Sequence, residues 1–167
     1  MLVRRWIERL AGLSDRRLSG RAKEGLERHR DAILQVASEN SIPPALLAGI
    51  VAVESEARAD VESAEELPTI SHAQGRTRAQ GLMQVIPVNL ENLGVPVEQW
   101  LEPIPNLRAG ATILLEHPAP LGQVSLEETL QQYRYGTLAR DASEYIHDVE
   151  TLAARAWEEL GFPALPT

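Results

Sequence analysis

The sequence has no cysteine, which excludes disulfides, thiolate metal sites and a cysteine nucleophile. Aromatic side chains are few: Trp6, Trp100, Trp157, Tyr133, Tyr135, Tyr145 and Phe162 are the full set among 167 residues. That leaves few rings for aromatic stacking of any kind. No apolar run approaches the ~20 residues a membrane span needs. Positive charge is also short, with a formal net charge of −8. This disfavours free nucleic acid as a partner, because phosphate contacts need a basic surface. What remains is ordinary: 44% hydrophobic and 24% charged residues, in a length that favours one domain with at most a short appendage.

The charge is unevenly spread. Residues 1–30 carry a local +5 and the remainder a local −13. Leu2, Val3, Trp6, Ile7, Leu10 and Leu13 fall at helical spacing, with arginines opposite, so a basic amphipathic helix is expected. It suits docking on the domain, on a protein partner or on a membrane surface. Residues 1–28 are therefore assigned to an N-terminal helical extension and residues 29–167 to the main domain. Arg4 and Arg5 resemble the start of a secretory signal, but Glu8 and Arg9 interrupt the apolar stretch that such a signal requires.

Helical periodicity runs through the rest. One helix is expected over roughly 20–39, closed by Asn40-Ser41. Pro43-Pro44 can start the next, which stays apolar from Ala45 to Val53 and meets its first charge at Glu54. Residues 58–79 are polar, acidic and aperiodic, a long loop with room for a small hairpin or flap. A short helix ending near Gly94, one over Asn106–Glu116 and one capped by Ser125 follow. Tyr145, Ile146, Val149, Leu152, Ala153, Ala156, Trp157 and Leu160 form a last apolar stripe, closed by Gly161 and Pro163. The fold class is mainly α.

Glu54 is the residue with chemistry. It lies three, four and seven positions after Val51, Ile50 and Leu47, on the apolar face and near the helix C-terminus. Burial and the helix dipole both favour the protonated carboxyl there, and a carboxylic acid is what general-acid cleavage of a glycosidic bond needs. A surface glutamate that merely ends the helix fits the spacing equally well. The four histidines, His29, His72, His117 and His147, show no HExxH spacing or tight pairing, so neither a metal site nor a cofactor is expected. Ser55 and Ser71 lack a glycine-flanked nucleophile elbow, and no glycine-rich phosphate loop is present.

Taken in order, four segments resemble the soluble lytic transglycosylases, relatives of goose-type lysozyme. They are Glu54-Ser55 at the end of an apolar helix, Ala79-Gln80-Gly81-Leu82-Met83-Gln84-Val85-Ile86-Pro87, Pro105-Asn106-Leu107-Arg108-Ala109-Gly110, and Tyr133-Arg134-Tyr135-Gly136 followed by Tyr145-Ile146-His147-Asp148-Val149. The resemblance implies a lysozyme-like helical domain that cleaves the MurNAc–GlcNAc bond of peptidoglycan. It implies Glu54 as sole acid/base, forming a 1,6-anhydro product without the second carboxylate most glycosidases place ~5–9.5 Å away. It makes Tyr133 the tyrosine that supports the glutamate, and puts Met83, Gln84 and Tyr145 among the substrate-binding residues. Ser63, which keeps the family's serine spacing from Glu54, joins them.

The sequence departs from the family pattern in four places, the first being Gly75, which stands where the family has a serine before the Gly81-Leu82-Met83-Gln84 segment. The stretch from Glu54 to Gly81 is longer than usual, Arg78 stands where glycine is common, and Arg134 replaces the asparagine after the tyrosine. A hydrolytic muramidase is an alternative outcome of the same site. A glycan-binding or structural component of a phage tail or envelope-spanning machine, with vestigial activity, is the alternative of another class. A hydrolase of chitin-like glycans is a third. The expected place of action is the bacterial periplasm or cell wall. Without a recognised export signal, the chain is expected to be a mature fragment, to be carried by a virion or secretion apparatus, or to be released by another lysis protein.

Overall fold

The computed structural model describes residues 16–116, 125–135 and 142–165, so the amphipathic helix expected over residues 2–13 lies outside the described residues. Seven α-helices form among them: α1 Gly20–Arg28, α2 Arg30–Glu39, α3 Pro44–Ser55, α4 Pro87–Asn92, α5 Pro103–Leu115, α6 Leu126–Tyr135 and α7 Ser143–Leu160. The described residues contain isolated β-bridges but no strand.

Helix α3 is the centre. Pro44 to Ala52 are all buried, and a helix apolar all round is stable only when neighbours cover every face. Its most extensive packing is against α7. Gly49 permits this: a Cβ there would sit 2.7 Å from both the Ala153 Cβ and the Val149 carbonyl oxygen. The α3 C-terminus is closed by two successive left-handed residues, Glu56 (φ 51°) and Ala57 (φ 57°). Their N–H groups reach the Ala52 and Val51 carbonyls at 3.1 and 3.3 Å. Arg58 then donates to the Ser55 carbonyl from its backbone N–H at 3.1 Å and from Nε at 3.2 Å, which places a cation at the negative end of the helix.

The single helix expected over 20–39 is two. The chain bends at His29 (φ −101°, ψ 12°), and α1 packs against α3, where a Cβ on Gly25 would lie 2.5 Å from the Ala57 carbonyl oxygen. Leu18, Ala22 and Leu26 thereby join the same buried core as α3, α5 and α7. The helix expected from Asn106 begins earlier, at Pro103, because proline is compatible with a first turn. At α6, Ser125 and Glu128 form a reciprocal capping box, with backbone-to-side-chain bonds of 2.8 and 3.1 Å. Gly161 (φ 68°) ends α7 as the stripe predicts, with Phe162 N–H reaching back to the Ala156 carbonyl at 3.1 Å.

The 58–79 segment is a hairpin-like arm. Gly81 N–H donates to Val61 O, Ser63 N–H to Ala79 O and Leu67 N–H to Thr77 O, at 2.8 to 2.9 Å. The turn at its far end is closed between Ala73 and Arg76, and a 3-10 turn, Thr69–Ser71, packs against α4.

Candidate active site

The site is assembled around the turn Gly81–Gln84. Gln80 and Val85 exchange backbone hydrogen bonds of 2.9 and 3.0 Å, which closes the turn. Gly81 and Gln84 take left-handed backbone (φ 72° and 48°). At Gly81 glycine is required twice over, because a Cβ would also lie 2.6 Å from the Asn106 side-chain nitrogen.

Three helices clamp this turn through its backbone. From α3, the Ser55 hydroxyl lies 2.9 Å from the Leu82 carbonyl and 3.1 Å from Val51 O. From α5, the fully buried Asn106 accepts from Met83 N–H at 2.8 Å and donates to Gln80 O and Trp100 O at 2.9 and 2.8 Å. From α6, the Tyr133 hydroxyl donates to Met83 O at 2.7 Å. Buried polar groups persist only when paired in this way.

Glu54, half-buried one residue before Ser55, is therefore fixed relative to the turn by the neighbouring serine. Across from it, Tyr145 of α7 donates its hydroxyl to Glu54 Oε1 at 2.7 Å. Tyr145 is itself 9% exposed, and the close α3–α7 approach at Gly49 holds the two helices in register for this bond.

The expected site residues fall into distinct places. Glu54 and Tyr145 meet directly. Tyr133, expected to support the glutamate, has its hydroxyl on the Met83 carbonyl. Tyr145, expected among the substrate contacts, supplies a hydrogen bond to the acid. Met83, expected to line the groove, is fully buried. Its side chain fills the space left by Gly110, where a Cβ would lie 2.6 Å from the Met83 Cβ, so it anchors the turn from beneath. Gln84 donates its amide to Val61 O at 3.2 Å and to Gly81 O at 2.9 Å, joining the turn to the arm. Ser63 belongs to the arm: its hydroxyl accepts from Ala79 N–H at 3.0 Å and donates to Glu65 O at 2.8 Å. The Arg134 side chain lies outside the described residues.

Two residues without an assigned role in the sequence reading, Ser55 and Asn106, prove central. Each stands inside a segment that carries the resemblance, which was the only signal for them. Among the described residues no three histidines or carboxylates come together as a metal-binding group, and no helix is long and apolar enough to cross a membrane.

Searches among curated proteins and solved structures find no match to this chain. A family model, the transglycosylase SLT domain, matches residues 31–152. That span contains Glu54, the Gly81–Gln84 turn, Asn106, Tyr133 and Tyr145. The chain thus belongs to the SLT transglycosylase family, with the family's lysozyme-like all-α fold and peptidoglycan as its general substrate.

Proposed function

We propose that the protein cleaves the MurNAc–GlcNAc bond of peptidoglycan with Glu54 as its single acid/base. The observation that carries this reading is the half-buried Glu54 carboxyl at the end of a buried helix, held at Oε1 by the Tyr145 hydroxyl 2.7 Å away. The carbonyl oxygen of a carboxyl is the stronger acceptor, so with Oε1 taking the Tyr145 hydroxyl we assign the acid proton to Oε2. That proton passes to the glycosidic oxygen as the C1–O bond breaks. The carboxylate then takes the proton of the muramic acid C6 hydroxyl, whose oxygen bonds to C1 and closes the 1,6-anhydro ring. The sugar supplies its own nucleophile, so no second carboxylate is needed.

Ser55, Asn106 and Tyr133 act as positioning residues for the turn beside the acid. Gln84, its amide nitrogen committed to Val61 O and Gly81 O, offers its amide oxygen to a sugar hydroxyl. The place of action follows from the substrate: the periplasm or cell wall. Purified protein and its Glu54→Gln variant should be compared on isolated cell walls, with the products weighed by mass spectrometry. The parent should release anhydro-muropeptides, one water lighter than hydrolytic products, and the variant should release none. Hydrolytic products would make the enzyme a muramidase instead, and undiminished lysis by the variant would remove Glu54 from the mechanism.

A further inference from the structure

Four cations lie between Glu54 and Tyr133: Arg58, Arg76, Arg78 and Arg108. Two are neutralised within the fold. Arg76 pairs with Glu62 at 3.0 Å. Arg108 presents Nε and Nη2 to the two carboxylate oxygens of Glu39, at 2.9 and 2.7 Å. Arg58 meets the Ser55 carbonyl, where it completes the end of α3. Arg78 is different. Among the described residues only its Nη1 is engaged, by the carbonyls of Ser63 (2.8 Å) and Ala64 on the opposite side of the arm.

Two acceptors on one terminal nitrogen fix the guanidinium plane without neutralising its charge. They leave the Nε–Nη2 edge uncommitted among the described residues, on a side chain that is only partly buried. A guanidinium edge of this kind matches a carboxylate with two parallel N–H···O bonds. Arg108 shows this protein using the same edge on Glu39. Arg78 is also tied to the site: its carbonyl accepts from Gln80 Nε2 at 2.7 Å, and Gln80 closes the turn that carries Leu82 and Met83.

We propose that Arg78 is a substrate-binding residue that takes a carboxylate of peptidoglycan on its Nε–Nη2 edge. The proposal rests on the peptidoglycan reading of the site above. It gives a net-acidic protein a short-range means of holding an anionic polymer, where long-range steering would oppose it.

The test is calorimetric binding in the Glu54→Gln background, so that substrate is not consumed. Three probes are used: peptide-bearing glycan strands, the same strands with their carboxylates amidated, and strands stripped of peptide, which frees the lactyl carboxylates otherwise held in the amide bond to the peptide. Arg78→Gln should weaken binding of the peptide-bearing strands about tenfold and leave the amidated strands unchanged, with Arg78→Lys between parent and Arg78→Gln. A tenfold effect on the stripped strands as well shows that the edge also takes the lactyl carboxylate of denuded glycan, and no effect there confines it to the peptide carboxylates. Equal weakening on free and amidated strands would reduce Arg78 to a staple of the arm. No change, or no binding of any strand, would also overturn the proposal. If cell walls survive the parent protein while this binding pattern holds, the catalytic reading falls and the carboxylate site stands.

Discussion

Replacing Asn106 with leucine tests whether the turn beside Glu54 is held as described. The side chain is fully buried and makes three hydrogen bonds. Leucine shares the branching of asparagine but is bulkier, so it leaves no cavity, and the cost of the groups left behind is a lower bound to which overpacking adds. The Gln80 carbonyl keeps the Val85 N–H at 3.0 Å. The Met83 N–H and the Trp100 carbonyl lose the amide partner. Each stranded buried group costs about 1–3 kcal/mol, which gives about 2–6 kcal/mol in total. Against a typical stability of about 5–15 kcal/mol the variant should still fold. Its melting temperature should drop by about 5–20 °C, with a matching fall in the urea midpoint at unchanged slope. Native-state hydrogen exchange supplies the local readout. The Met83 amide, bonded to Asn106 Oδ1 in the parent, should lose its protection while the α3 amides exchange in proportion to global stability. A variant within about 0.5 kcal/mol of the parent, the level of an inert surface change, would refute the clamp. So would a Met83 amide that stays protected.

Two other predictions address the acid and the surface. Tyr145→Phe removes only the hydroxyl that reaches Glu54 Oε1 and should lower kcat about 100-fold through misplacement of the acid, with little change in KM. An unchanged kcat would show that this bond does not position the carboxyl. Hydrogen bonds from Arg108 and then Gln35 hold the Glu39 carboxyl down to about 2, against an unperturbed 4.5. Because the folded-state carboxyl is the stronger acid, the interaction favours folding above pH 4.5, and that contribution is lost as pH falls toward 2. Arg108→Gln should therefore flatten the acid limb of a stability–pH curve measured by urea melts. An identical limb in the variant would count against the pair.

Local patterns identified the helices because helix formation is local: a period of 3.6 residues and a cap at each end are written within a dozen positions. Pro44, Ser125 and Gly161 set the bounds of α3, α6 and α7 in this way. The same locality misled at His29, where nothing nearby in the chain marks the bend and the packing of Gly25 on Ala57 accompanies it. The 58–79 arm was legible as an aperiodic stretch with room for a hairpin or flap, but not in its register, since its order comes from pairings such as Ser63 with Ala79.

The sequence by itself determined the helical class, the apolar helix that ends in Glu54 and the ordered motifs that carry the family. Those properties reside in residue type and short-range spacing. Only the tertiary structure decided that Tyr145 reaches the acid, because Tyr145 and Glu54 are 91 positions apart and their meeting depends on the α3–α7 crossing that Gly49 allows. It also decided that Met83 is buried beneath the turn, since the space it fills is made by Gly110 of α5. Likewise, Arg108 spends its charge on Glu39 whereas Arg78 keeps its own. A side chain's identity is a property of the chain, but the partner that uses up its hydrogen bonds or its charge is chosen by which helices pack together.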